Sequence, residues 1–270
     1  MTRHFPCRFA MAVLVLVVAG THADASLIGH WTLDDGSGNT VADSSVHGRD
    51  GTRNSGAWVT TAPPAKVGGA LQFNDSGGGV SVNMGSGVLP SGNAERTIAA
   101  WVSSDQFQDG KFLGYGGTGG GKTFDWTVEG TGVWLRHGGG QVKWNFGYTL
   151  GTMMHLAIVV PTGATKVGDV KLYIDGSESA ISTINTNSNL NTTSATTFYM
   201  GRGRSPATFD GIVDDVQFYD TALGDQQIAW LHNNPGVTIP ESVIPEPMTM
   251  LAVGLSVAGL GGYVRKRRMG

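Results

Sequence analysis

The run His155-Leu156-Ala157-Ile158-Val159-Val160, followed beyond a Pro-Thr-Gly turn by Val170-Lys171-Leu172-Tyr173-Ile174-Asp175-Gly176, decides the fold class. The first segment is apolar, rich in β-branched residues, short for a helix and closed by Pro161. The second ends in Asp-Gly, which accepts positive φ at both central positions of a two-residue hairpin turn. The same grammar recurs outward. Leu27 to Asp34 alternates with Leu27, Trp31 and Leu33 on one face, and Thr97 to Val102 places Ile98, Ala100 and Val102 opposite Trp101. Further strands are predicted over Ala70 to Phe73, Gly79 to Asn83, Lys111 to Tyr115, Thr123 to Glu129, Gly132 to Arg136, Gln141 to Asn145, Ala180 to Ile184, Thr197 to Gly201 and Phe209 to Tyr219. Glu129-Gly130-Thr131-Gly132 and Arg136 to Gly140 read as hairpin connections, which makes an antiparallel meander. One helix is convincing, Asp225 to His232, with Gly224 as N-cap, Gln227 at the third position and Asn233-Asn234-Pro235 closing it. With 42 Gly and only 14% charged residues, the pattern predicts an all-β, two-sheet antiparallel sandwich with one short C-terminal helix.

The two ends are of a different kind. Arg3 and Arg8 precede an apolar stretch, Phe9 to Gly20, and Ala23-Asp24-Ala25 offers a small-x-small cleavage pattern. Residues 1–25 are therefore expected to be a signal peptide with a signal helix, processed by signal peptidase; a first membrane helix is the alternative. At the other end, Pro245-Glu246-Pro247 precedes an apolar run, 248–264, and the cations Arg265, Lys266, Arg267 and Arg268. At 1.5 Å per residue such a run rises roughly 26 Å, the short end of what spans a bilayer core, with the cations on the cytoplasmic side. The expected organisation is a domain over 26–235, a linker over 236–244 and a sorting signal over 245–270 that holds a transmembrane helix. Cys7, the only cysteine, falls in the leader, so a chain cut there has no disulfide of its own. Setting aside both terminal segments removes six of the 18 Lys and Arg and two of the 21 Asp and Glu. The remaining 12 cations and 19 anions argue against a nucleic-acid partner.

The order rigid Pro-Glu-Pro, weak span, basic stop resembles the C-terminal signal of bacterial PEP-CTERM proteins. That resemblance implies an exosortase-type sorting enzyme as partner, transient inner-membrane anchoring, and final delivery to the cell surface or extracellular matrix; an ordinary tail anchor would carry a similar span. The middle of the chain resembles the laminin-G-like, concanavalin A-like jelly roll. The likeness is carried by Trp31 to Gly38 with Val41 to Ser45 and Gly48 to Gly51, by Thr97 to Val102 with His155 to Val160 and Lys171 to Gly176, and by Phe209 to Tyr219 with Ala222-Leu223. Val46 and His47 depart from that family's opening loop.

The motifs that carry this likeness are mostly structural and say little about activity, and glucanases share the architecture. Trp126, Trp134 and Trp144 fall on successive hairpin strands with Tyr148 close behind, and flat rings on a sheet face can stack on sugars; the same rings can equally fill the core. Asp43, with Asp214 or Asp215 from the closing strand and Asp34 in reserve, is a candidate set for a structural calcium ion, because acidic side chains beside Gly-rich turns supply the oxygens it wants. Asp capping its own turn is the competing account. Adjacent Asp214 and Asp215 are expected on opposite faces of a strand. A retaining glycosidase needs carboxylates about 5 Å apart. Asp125 and Glu129 share a face but lie about 13 Å apart along a strand, and no other catalytic grouping is visible. The expectation is an exported, non-catalytic binding or adhesion module for carbohydrate or exopolysaccharide; a glycoside hydrolase of this fold and a passive matrix protein are the alternatives.

Overall fold

A computed structural model describes residues 26–60, 65–75, 77–107, 110–203 and 209–240. The expected signal peptide and the sorting signal with its transmembrane helix lie outside the described residues. Among the described residues no helix is long and apolar enough to cross a membrane.

The described chain forms seventeen strands and one α-helix. In chain order they are β1 (Leu27–Trp31), β2 (Thr40–Val41), β3 (Gly51–Arg53), β4 (Ala57–Val59), β5 (Ala70–Asn74), β6 (Val80–Asn83), β7 (Arg96–Ser104), β8 (Gly110–Gly116) and β9 (Thr123–Glu129). There follow β10 (Gly132–Arg136), β11 (Gln141–Asn145), β12 (Met154–Val160), β13 (Lys171–Ile174), β14 (Ser177–Ser179), β15 (Thr183–Thr186), β16 (Thr197–Met200), β17 (Asp210–Tyr219) and α1 (Asp225–Asn233). Every pairing is antiparallel. The first sheet runs β14-β13-β12-β7-β17-β5-β4, with β1 on the far half of β17; the second runs β15-β11-β10-β9-β8-β16-β6-β3-β2.

Alternation welds the two sheets together. Ile98, Ala100 and Val102 of β7, with Leu156, Ile158 and Val160 of β12, point inward from the first sheet. Phe124, Trp126, Val128, Leu135 and Trp144 do so from the second, all in one buried cluster. Each such large apolar side chain contributes about 1.5–3 kcal/mol by leaving water. The Asp175-Gly176 turn forms as its sequence predicts: φ is +47° and +81°, and Ile174 pairs with Ser177 across it.

Some local expectations are corrected. The return strand of that hairpin is β14, starting directly after the turn; Ala180 to Ser182 then carry the chain to the other sheet, where β15 pairs with β11. Of the strand expected over Ala180 to Ile184, only Thr183 and Ile184 are in a strand, β15. β2, β3 and β4 are two or three residues long, too short to show a period. Near the start, a register shift between Leu27 and Gly29 turns Ile28, not Leu27, into the core.

Helix α1 lies where expected, with the Gly224 N–H donating to Gln227 Oε1 at 2.9 Å. Its Ile228 and Leu231 cover Ala99, Ala157, Val159, Tyr173 and Tyr219 on the outer face of the first sheet. That sheet is therefore covered on both sides. The second sheet keeps its outer face for polar residues.

Candidate functional site

Hairpin register fixes what the outer face of the second sheet presents. Because Gly130-Thr131 is a two-residue turn, Glu129 pairs with Gly132, Trp126 with Leu135 and Thr127 with Trp134. Trp126 and Trp144 therefore point into the core, both 0% exposed, and are not available to a ligand. Tyr148 is half-buried at the core edge, its ring 5.5 Å from Phe107 and its hydroxyl donating to the Gln106 carbonyl. Burial pushes its pKa up. Of the four aromatic residues singled out, only Trp134 turns outward. Lys143 Nζ lies 5.1 Å and the Arg136 guanidinium 5.5 Å from its ring centre, so both make cation–π contacts with it. Arg136 also pairs with the Glu129 carboxylate.

Two residues along β10 from Trp134, on the same face, Arg136 enters a pocket of about 440 Å³. Asp125, Lys111, Gln141 and Thr123 line it, and the Gly-rich turns at 118–120 and 138–139 form its rim. Asp125 is 2% and Lys111 8% exposed, so their charges sit in a partly dry wall where hydrogen bonds to a ligand hydroxyl are stronger than in water. His137, at the tip of the β10–β11 hairpin, is buried and receives the Asn191 N–H at Nε2. Burial lowers its pKa. It positions the loop and does not face a ligand.

The four candidate calcium ligands lie elsewhere, each engaged by N–H donors. Asp43 Oδ1 accepts from the backbone N–H of His30 and Ser45, and Oδ2 from Ser45 Oγ–H and the Arg49 N–H. Burial works to raise its pKa, but those hydrogen bonds outweigh it and the carboxyl sits below its ordinary value. Asp34 accepts the Gly69 N–H. Asp214 Oδ2 accepts the N–H groups of Lys66 (2.7 Å) and Val67 (3.1 Å). Asp215 Oδ1 accepts from His30 Nε2 at 2.8 Å, and Oδ2 from the Gly236 N–H.

The expectation that Asp214 and Asp215 point to opposite faces fails. A bulge between Asp214 and Gln217, with Asp215 at φ +46°, leaves Val213 and Val216 both in the core and turns both carboxylates outward. Among the described residues no three acidic or His side chains group to hold a metal. Both Asp43 oxygens already accept two hydrogen bonds each.

Around the bulge lies a polar nest that the sequence did not announce. Trp101 is 5.3 Å from both His155 and His232, and Lys66 Nζ stands 3.9 Å over its ring. Burial, with the neighbouring His232, pushes the His155 pKa down to about 4. Burial also pushes Asp214 up to about 7 against its N–H donors, helped by Asp215 and Asp34.

Comparison with known proteins agrees with this architecture. The Laminin_G_3 family, described as the concanavalin A-like lectin/glucanases superfamily, matches residues 74–229. No curated protein matches the chain in sequence. Domain 4 of AbnA, a GH43 extracellular arabinanase from Geobacillus stearothermophilus solved with arabinotriose, is 22% identical with a TM-score of 0.55, covering 78% of this chain and 100% of its own. Botulinum neurotoxin type C, whose cell entry depends on interaction with two ganglioside molecules, is 15% identical with a TM-score of 0.55, covering 77% of this chain and 51% of its own. Trypanosoma rangeli sialidase is 19% identical with a TM-score of 0.54, covering 81% of this chain and 35% of its own. The chain thus spans about half of the toxin chain and a third of the sialidase; at these identities the likeness establishes the fold.

Proposed function

Starting from a chain that belongs to the concanavalin A-like lectin/glucanases superfamily, we propose that it is a non-catalytic carbohydrate-binding module whose sugar site is the outer face of the second sheet. The observation that carries this is Trp134: a ring turned out of the sandwich, held by Arg136 and Lys143, beside a pocket of charged and amide groups. A flat ring takes the apolar face of a sugar, and the pocket groups take its hydroxyls. The arabinotriose and ganglioside partners of two structural relatives are consistent with this assignment. A glycoside hydrolase is the less favoured function, because Asp125 and Glu129, four positions apart on one strand, are separated by about 13 Å.

The same proposal takes residues 1–25 and 245–270 as export and PEP-CTERM-type sorting segments. The domain then passes through an inner-membrane intermediate to the cell surface or matrix. Mass spectrometry of the protein recovered from the cell envelope tests this; both termini intact on all the protein would refute it. The sugar site is tested by titrating the purified full chain against a panel of soluble polysaccharides. Trp134→Ala is expected to abolish binding while leaving the far-ultraviolet circular dichroism unchanged. Unaltered affinity in a folded Trp134→Ala variant, or no binding by the parent chain to any polysaccharide, sinks the assignment.

A further inference from the structure

We propose that this face binds an internal stretch of a linear polysaccharide, laid across the strands in one groove made of three adjoining cavities. The inference rests on the sugar-binding assignment above and adds to it the form of the ligand. Strand register supplies the first observation. Ser81 pairs with Tyr199, Tyr199 with Gly114, Gly114 with Asp125, Asp125 with Arg136 and Arg136 with Gln141. Directly paired residues share a face, so these six form a single polar row across six strands. At about 4.8 Å per strand the row is about 24 Å long, far more than one sugar ring needs.

The cavities follow that row. One of about 620 Å³ lies over Ser81, Tyr199 and Arg202; the 440 Å³ pocket lies over Asp125, Arg136 and Gln141. A third, of about 280 Å³, joins them: it shares Thr196, Thr197 and Tyr199 with the first, and its Gly116 pairs with Thr123 of the second. Gly203 stands against Gly114 and Asp125, so the path bends to the Gly116 side there. Gly116 has φ +102°, and a Cβ at that position would run into the Lys122 carbonyl oxygen, so this turn at the shared end of the cavities requires glycine.

Aromatic rings held by cations recur on this face. The Arg202 guanidinium is 4.9 Å from the Tyr199 ring, as Arg136 and Lys143 flank Trp134 three strands away. Both ends are open. The row continues to Thr40 beyond Thr52 on one edge and to Thr186 on the other, both small and exposed. Among the described residues no wall stops a chain end at either edge, which favours a polymer passing through over a terminal sugar.

The test is calorimetric titration of the purified full chain with ladders of linear α-1,5-arabino-, β-1,4-xylo- and β-1,4-gluco-oligosaccharides, from disaccharide to octasaccharide. Affinity for the ladder that binds is expected to rise at least about tenfold from disaccharide to hexasaccharide. Thr197→Trp, which fills the wall shared by two cavities from the outer face, is expected to erase that gain. Ser81→Trp serves the same purpose should Thr197→Trp fail to fold. Equal Kd at every length overturns the groove while the sugar-binding assignment stands. No binding of any ladder or parent polysaccharide overturns both.

Discussion

Two buried groups near the β17 bulge titrate against each other, and the predicted consequence is a stability profile that is flat where each alone would be steep. Asp214 moves from 3.8 to about 7 in the folded state. Between those pH values the folded chain holds a proton that the unfolded chain has released, so stability falls as pH rises, by roughly 4 kcal/mol at about 1.4 kcal/mol per pH unit. His155 moves the other way, from 6.5 to about 4. Between those values the unfolded chain holds the extra proton, so stability rises with pH, by roughly 3 kcal/mol. From about pH 4 to 6.5 the two slopes cancel. Above that only Asp214 still titrates, and stability declines gently. Asp214→Asn, which keeps an oxygen for the Lys66 and Val67 N–H groups, is expected to unmask the His155 slope. His155→Gln is expected to unmask the opposite one. Urea midpoints at half-unit pH steps measure all three chains, and the quantity of interest is each variant's profile minus the parent's, in which other carboxylates drop out. An Asp214→Asn profile parallel to the parent's between about pH 4 and 6.5 would refute the reasoning.

Trp144→Ala removes a fully buried ring and is expected to cost about 3–5 kcal/mol in urea unfolding; Trp134→Ala removes a half-buried ring with its cation–π contacts and is expected to cost less, about 2 kcal/mol. Arg96, fully buried, donates to the carbonyls of Pro90, Gly92 and Ala94 and to the Tyr115 hydroxyl. Arg96→Ala is expected to lose about 3–5 kcal/mol, and Arg96→Lys to recover little of it, because one ammonium cannot reach four acceptors; thermal melts compare the three. Because both Asp43 oxygens are saturated, adding calcium or a chelator is expected to leave Tm unchanged; a rise of several degrees with calcium would show that the ion displaces those donors.

Much of the sandwich was legible because β7, β9, β10, β11 and β12 are long enough to show a two-residue period, and because Gly130-Thr131 and Asp175-Gly176 name their own turns. Taking Trp126, Trp134 and Trp144 as one set on a sheet face is where the sequence reading fails, although the turn carries the signal against it. A two-residue turn at Gly130-Thr131 makes Trp126 and Trp134 odd and even partners, so they cannot share a face. What stayed hidden was non-local. The bulge at Asp215 has no signature in Asp214-Asp215, since its positive φ is held by His30 and Gly236, distant in sequence. The groove was hidden for the same reason: Ser81, Tyr199 and Arg136 share a row only through pairings between strands far apart in the chain.

The clamp on Gly236 has a mechanical corollary. Asp215 and Gln217 grip the departing backbone at Gly236 and Val237, and both belong to β17, an interior strand of the first sheet. The carbohydrate groove is on the opposite broad side of the sandwich. Tension on the departing backbone is delivered to a strand hydrogen-bonded on both flanks, β7 on one side and β5 with β1 on the other.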